Sequence, residues 1–395
     1  MNDDRCAMDH SSARVRAVSS RDSRAALTAD FSHIPMLDGL RACAILFVLV
    51  AHFGFSKWVP GGFGVTLFFF ISGLLITRLL LAETALTGRI RVGRFYARRM
   101  LRLYPALLVA VAASYGVYAA FEGHVLWRDV AAVLLYVSNY YGDWVGFGSG
   151  YPEQFQSYVH IGILWSLAVE EQYYIVFPLV FVLLRCNARR LLPALTSLAL
   201  ACLAWRLYLA SNGATSHRLY VGTDTRIDSI LYGAMLSCIL AGQSGRSWLA
   251  RMTQPGMLCL ALLVLLVCFV YRDDFFRDTW RYTLQGLALM PLVAAVCFTD
   301  SLASITEILC SWPMRMIGVW SYSIYLTHQL ATTLAAMATH EHDGAGFQHL
   351  SWRWYAIALT ATVTLTGVSY YFVERPFFGL RHRFGSRTVG PVSAA

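Results

Sequence analysis

Three observations predict an all-α fold, a polytopic bundle of transmembrane helices. The 395-residue chain is 57% hydrophobic and only 14% charged, with a mean hydropathy of +0.51. A soluble domain carries about a quarter charged residues. Apolar runs of spanning length, about 20 residues, recur along the chain. The Lys and Arg residues between those runs are unevenly shared between the two sides.

The runs lie near 37–55, 63–82, 103–121, 161–184, 191–210, 226–242, 255–271, 282–299, 315–336 and 355–373. That makes about ten helices. A shorter run near 130–140 is read as interfacial. With the N-terminus in the cytoplasm and loops assigned alternately, 23 of the 32 Lys and Arg residues fall on the cytosolic side and nine on the outer side. The excess predicts N-in and C-in. Residues 1–34 are polar and Arg-rich with no apolar core for a cleavable signal. They are read as a disordered cytosolic tail, or as sequence upstream of a true start at Met36. The membrane domain is assigned to 35–378, and 379–395 is a basic cytosolic tail.

Net charge is +9, but the arginines sit in short loops between apolar runs, so nucleic acid is excluded as a partner. The nine cysteines form no CxxC pair and no zinc spacing, so neither a disulfide framework nor a metal is expected. No internal repeat and no pair of matching broken helices points to a transporter.

The first span, MLDGLRACAILFVLVAHFGF, holds Asp38, Arg41 and His52. Arg41 and His52 are eleven steps apart, about 16 Å on a helix. An ionisable group at such depth is a functional-site hypothesis; the alternative is a His52 satisfied by a helix neighbour or snorkelling to the headgroups. In the second span, Ser72 and Gly73 suit either chemistry or close helix packing. Arg89 to Arg102 contains six arginines, among them Arg94, Arg98, Arg99 and Arg102. It serves as a topology anchor, as an anion site, or both. The longest outer loop, from Phe121 to about His160, includes NYYGDWVGFGSGYPEQF, which suits sugar rings or an interfacial aromatic belt. Trp165, Glu170 and Glu171 lie in WSLAVEEQYYIVFP. Glu170 comes about 13 Å below the outer face and His52 about 5–8 Å, close enough for contact if the helices are neighbours. Glu170 would then orient His52 as a general base; the alternative is a structural ion pair. Arg226 and Asp228 in TRIDSILYG, His328 in WSYSIYLTHQ, and Glu374 with Arg375 in YFVERPFF complete the set.

Taken in order, these motifs resemble acyltransferase family three, integral-membrane enzymes that O-acylate cell-surface glycans, peptidoglycan and macrolides. The resemblance rests on LDGLRACAILFVLVAHF, with Arg41, ten residues, then His52. It rests also on GGFGVTLFFFISGLLIT followed by FYARRMLRLYPALL, on WSLAVEEQYYIVFP, on TRIDSILYG, and on SYSIYLTH with a terminal VERP. It covers about Pro35 to Phe378. One departure is Ile163, two residues before WSL, where the family often has His; the nearest here is His160. No esterase-like domain follows the last span, so the stand-alone form is expected. The resemblance implies acyl-CoA, most simply acetyl-CoA, as donor substrate, and no bound cofactor. It implies His52, Glu170 and Arg41 as catalytic residues, and Arg41 with Arg94, Arg98, Arg99 and Arg102 holding the donor. Asp38, Ser72, Trp165, Arg226, Asp228 and His328 would line the substrate path, with Ser72 the candidate for an acyl-enzyme. The acceptor is expected to be a glycan or lipid-linked sugar, alternatively a macrolide or lipo-oligosaccharide. The protein is expected in the plasma (inner) membrane, in contact with the lipid bilayer. A transporter is the competing class.

Overall fold

The computed structural model of the chain describes residues 34–152, 161–341 and 350–381. The N-terminal tail to His33, the C-terminal residues from His382 and His160 lie outside the described residues. Among the described residues there is no strand, and the ten long helices fall on the ten apolar runs. They are α1 (Pro35–Val50), α2 (Gly61–Thr87), α3 (Val92–Glu122), α4 (Trp165–Leu183) and α5 (Ala188–Ser211), then α6 (Asp228–Ala241), α7 (Pro255–Val270), α8 (Trp280–Phe298), α9 (Trp312–Thr339) and α10 (Trp352–Val368). A helix Arg375–Arg381 continues α10 past the expected domain end.

Seven helical stretches are long and apolar enough to cross a membrane, or eight if the bent pair Gly245–Met252 and α7 is one span. The chain is thus a multi-pass membrane protein. Two expected spans do not meet that test. α6 has 14 residues, about 21 Å of rise. α9 is long enough at 28 residues but carries Ser, Thr, Tyr, Gln and His through its middle. Both are sheathed by protein: α6 packs among α2, α5 and α8, and α9 between α1 and α10. Apolarity is demanded only of surface that meets lipid. The lipid-facing surface is accordingly seen on the periphery, where Leu198 and Leu200 of α5 and Leu260, Leu262, Leu263 and Leu266 of α7 are exposed.

Small residues let the inner helices close on one another. A Cβ on Gly73 of α2 would lie 1.9 Å from the Ile230 carbonyl oxygen, and one on Gly233 of α6 the same distance from that of Phe70. Between α1 and α9, a Cβ on Gly318 would lie 1.9 Å from the Asp38 carbonyl oxygen. Polar pairing joins α5, α6 and α8. The Arg206 guanidinium donates to both Asp228 oxygens, at 3.2 and 2.9 Å, and Thr283 donates to the same carboxylate at 2.9 Å. Arg206 and Asp228 are completely buried.

α1 does not run straight into solvent. Residues Ala51–Phe55 form a π-helical turn whose geometry breaks at Phe53 and at Gly54, where φ is +90°. Glycine alone adopts that value without strain. Such turns place side chains off the regular helical lattice and recur at functional sites. Here the turn carries His52.

Candidate active site

Arg41 and His52 open onto two different cavities at opposite ends of the bundle. The first is lined by Arg41, Ser72, Arg99, Arg102, Glu170, Tyr174 and Ser321, among others. Arg41 donates twice to the Ser321 hydroxyl on α9, at 3.2 and 3.0 Å. Ser72 donates to Glu170 at 3.0 Å, and Tyr174 donates to the other carboxylate oxygen at 3.3 Å. Arg99 lies over the Tyr174 ring, 4.2 Å from its centre. Arg99 and Arg41 are both within electrostatic reach of Glu170. Glu374 is buried behind this cavity, holds the Ser323 hydroxyl, and interacts with Arg102 and Arg41. The lining itself carries three guanidinium groups against one carboxylate, so it favours an anionic occupant.

The second cavity is larger and is lined by His52, Trp58, Trp165, Tyr220, Tyr282 and residues Ser56–Gly62, among others. His52 Nδ1 lies 2.9 Å from the Val48 carbonyl oxygen. A carbonyl only accepts, so Nδ1 carries the proton and Nε2 is the basic nitrogen. The His328 ring packs against that of His52, with centres 5.1 Å apart. His328 is fixed in the same tautomer by the carbonyls of Ile324 and Tyr325, at 3.1 and 2.9 Å.

Val65 and Tyr325 line both cavities and form the partition between them. The Tyr325 hydroxyl donates to the Ile163 carbonyl at 2.7 Å and lies 2.6 Å from the Ser166 hydroxyl, which therefore donates to it. Its ring is thus held across the gap.

Several expected placements need correction. Glu170 does not meet His52: it faces the first cavity and is taken up by Ser72 and Tyr174, while His52 faces the second. Arg99 and Arg102 point into the first cavity, but Arg98 is drawn away to an ion pair with Glu83 at 3.3 Å, and Arg94 is exposed. Arg226 and Asp228 line neither cavity. Asp228 belongs to the buried Arg206 pair. Arg226 is fully buried behind the cavity wall, 3.8 Å from the Tyr282 ring centre and 5.6 Å from that of Trp165, with hydrogen bonds to the Tyr220 carbonyl and to Thr66. His328 backs His52 without lining the cavity. Asp38 lies in the first turn of α1, where its backbone meets Gly318. Ser72 lines the first cavity and Trp165 the second. The outer loop contributes Ser138, Asn139, Gly142 and Phe147 to the second cavity, while Trp144 is exposed. Tyr325, Ser321 and Arg206 were missed. Ser321 and Tyr325 left a trace in the sequence, within the polar stretch SYSIYLTH that ends at His328.

Comparison with known proteins places this architecture. A family model described as an acyltransferase domain matches residues 34–372. The peptidoglycan O-acetyltransferase OatA of Listeria monocytogenes is 30% identical over 357 residues, covering 87% of this chain and 56% of that protein. YrhL of Bacillus subtilis, named provisionally as a peptidoglycan O-acetyltransferase, is 32% identical over 375 residues, covering 90% of this chain and 57% of that protein. The chain thus spans somewhat more than half the length of these relatives. No solved structure matches it. With a model match over most of its length and relatives above 30% identity, the chain belongs to the acyltransferase family.

Proposed function

We propose that this protein transfers an acyl group, most simply acetyl, from acyl-CoA at the cytosolic face of the plasma membrane to a hydroxyl of a cell-surface or exopolysaccharide sugar. The observation that carries the reading is the pair of cavities meeting at Val65 and Tyr325, with Arg41 and His52 of one helix assigned to opposite sides. The Lys and Arg distribution supports placing the Arg41 cavity toward the cytosol. The names of the relatives support an O-acetyl transfer and include peptidoglycan among candidate acceptors.

The donor enters the first cavity, where Arg41, Arg99 and Arg102 hold its phosphates. Its extended arm carries the thioester to the Tyr325 partition. In the second cavity, His52 Nε2 takes the proton of the acceptor hydroxyl as that oxygen attacks the thioester carbonyl. The carbon–oxygen bond forms, the carbon–sulfur bond breaks, and the departing thiolate takes the proton back. His328 positions His52. Glu170 holds the Arg41 and Arg99 guanidinium groups in place, a role distinct from orienting His52. Ser72 donates a hydrogen bond to Glu170, the contact by which a carboxylate would activate a serine nucleophile, so relay through an acyl group on Ser72 is the alternative to direct attack.

The test is the ester content of the surface glycan, by proton NMR before and after mild alkali. Wild type, a deletion, and the deletion complemented with His52→Ala at normal membrane abundance are compared. The reading predicts an alkali-labile acyl signal that the deletion loses and His52→Ala fails to restore. Full restoration by His52→Ala would remove the general base from the mechanism. An unchanged deletion would remove the glycan as acceptor.

A further inference from the structure

The second cavity carries more positive charge than acyl transfer to a neutral sugar needs. Among the described residues, Lys57, Arg272, Arg277 and Arg281 line it against a single carboxylate, Asp278, which accepts a hydrogen bond from Ser216. Arg281 is the most telling. Its guanidinium donates to the Tyr282 hydroxyl at 3.0 Å, its buried Nε has no hydrogen-bond partner, and no carboxylate pairs with it among the described residues. Arg272 makes a 3.4 Å contact with the Lys57 carbonyl. Arg277 has a 3.4 Å contact with Asp274, whose side chain is 88% exposed, a pairing that water weakens.

The charge is also on the unfavoured side. In the proposed orientation this end faces outward, where Lys and Arg are selected against. The other cations there are already used. Arg206 is paired with Asp228 and Arg218 with Asp224, Arg226 is enclosed by rings, Arg128 contacts Asp129 and Ser149, and Arg353 lies over Trp352. Arg272, Arg277 and Arg281 converge instead on one cavity, the one that holds His52. Concave walls concentrate such a field and draw in ligands of opposite charge, and guanidinium forks match carboxylate and phosphate groups.

We infer that the acceptor is anionic: a sugar that bears a carboxylate or phosphate, or that is linked to a lipid diphosphate. Arg281 and Arg272 hold this charge while a nearby hydroxyl is presented to His52. The inference rests on the acyl-transfer reading above and narrows its acceptor.

Cells that express the protein and a deletion strain are fed radiolabelled acetate, and alkali-labile label is located in polymer, lipid and soluble fractions. The label that depends on the gene is passed over an anion exchanger. The expected result is retention. Loss of retention after carboxyl reduction assigns a uronate-type sugar, loss after phosphatase a phosphorylated one, and loss after mild acid that cleaves lipid diphosphates assigns the carrier. In the complemented strain, Arg281→Gln with Arg272→Gln lowers gene-dependent label tenfold or more at equal abundance, and Arg281→Lys with Arg272→Lys restores part of it. Unretained label, or full label in the double Gln variant, overturns the anionic acceptor and leaves acyl transfer standing. Absence of gene-dependent label from every fraction overturns both.

Discussion

His52 shows what a single side chain can and cannot disclose in advance. An imidazole in an apolar run announces itself, and so does the Arg41 that precedes it. Its tautomer is set by a backbone carbonyl four residues earlier, which follows from helical geometry alone. Replacing His52 with Gln is expected to lower the turnover number by about 10²- to 10⁴-fold, the range for loss of a general base, with little change in KM for the donor. Glu170→Gln is expected to do the reverse and raise the donor KM more than it lowers turnover, because it hydrogen-bonds Ser72 and Tyr174 and lies within electrostatic reach of Arg99 and Arg41. Steady-state kinetics in membranes separate the two. The partner of Glu170 was not legible because rise per residue gives depth but not azimuth: two groups at similar depth meet only if their helices turn them toward each other. Asp228 is a plainer case. Asp228→Ala strands a buried Arg206 guanidinium, with about 3–5 kcal/mol lost, read as loss of protein from the membrane. A double change to apolar residues, Arg206→Met with Asp228→Leu, is expected to recover abundance and a share of activity, which a substrate-binding aspartate would not allow.

Among the elements, hydropathy located every long helix, yet it misjudged what α6 and α9 touch. A run of residues reports its own polarity and is silent on whether lipid or another helix will face it. α9 carries Ser321, Tyr325 and His328 because α1 and α10 cover it. The tight seam between α2 and α6 was half visible: Gly73 suggested close packing, but Gly233 as its counterpart needed the fold. Gly73→Ala is expected to force these helices apart and destabilise by about 1–3 kcal/mol. Gly93→Ala, with open space around its Cβ, is expected to be near neutral. Thermal unfolding in detergent compares them. The π-helical turn behind His52 left only Gly54 as its mark, and a lone glycine near a helix end is common.

The whole bundle assigns Lys57 and Arg89 to opposite faces. Cysteines placed at these positions are expected to react with a membrane-impermeant maleimide above the wild-type background, Lys57→Cys in intact cells and Arg89→Cys only after permeabilisation. The reverse pattern would invert the topology. At the His52 end of the bundle, burial would raise the Asp224 carboxyl, but the Arg218 guanidinium with the Trp205 and Tyr140 donors outweighs it and holds Asp224 below its ordinary value of 3.8. Its contribution to stability is therefore complete above that value and is lost as pH falls through the lower folded value. Asp224→Asn should flatten that acid limb of the thermal stability profile. The partition at Tyr325 has one more consequence for the cell. Two cavities that both border the Tyr325 ring and Val65 would, if they joined, open a path for protons through the bundle. On the proposed mechanism, the ring at which donor and acceptor meet would thus also act as a seal for the energised membrane. Liposomes bearing Tyr325→Ala are expected to leak protons faster than those bearing Tyr325→Phe, whatever either variant does to ester formation.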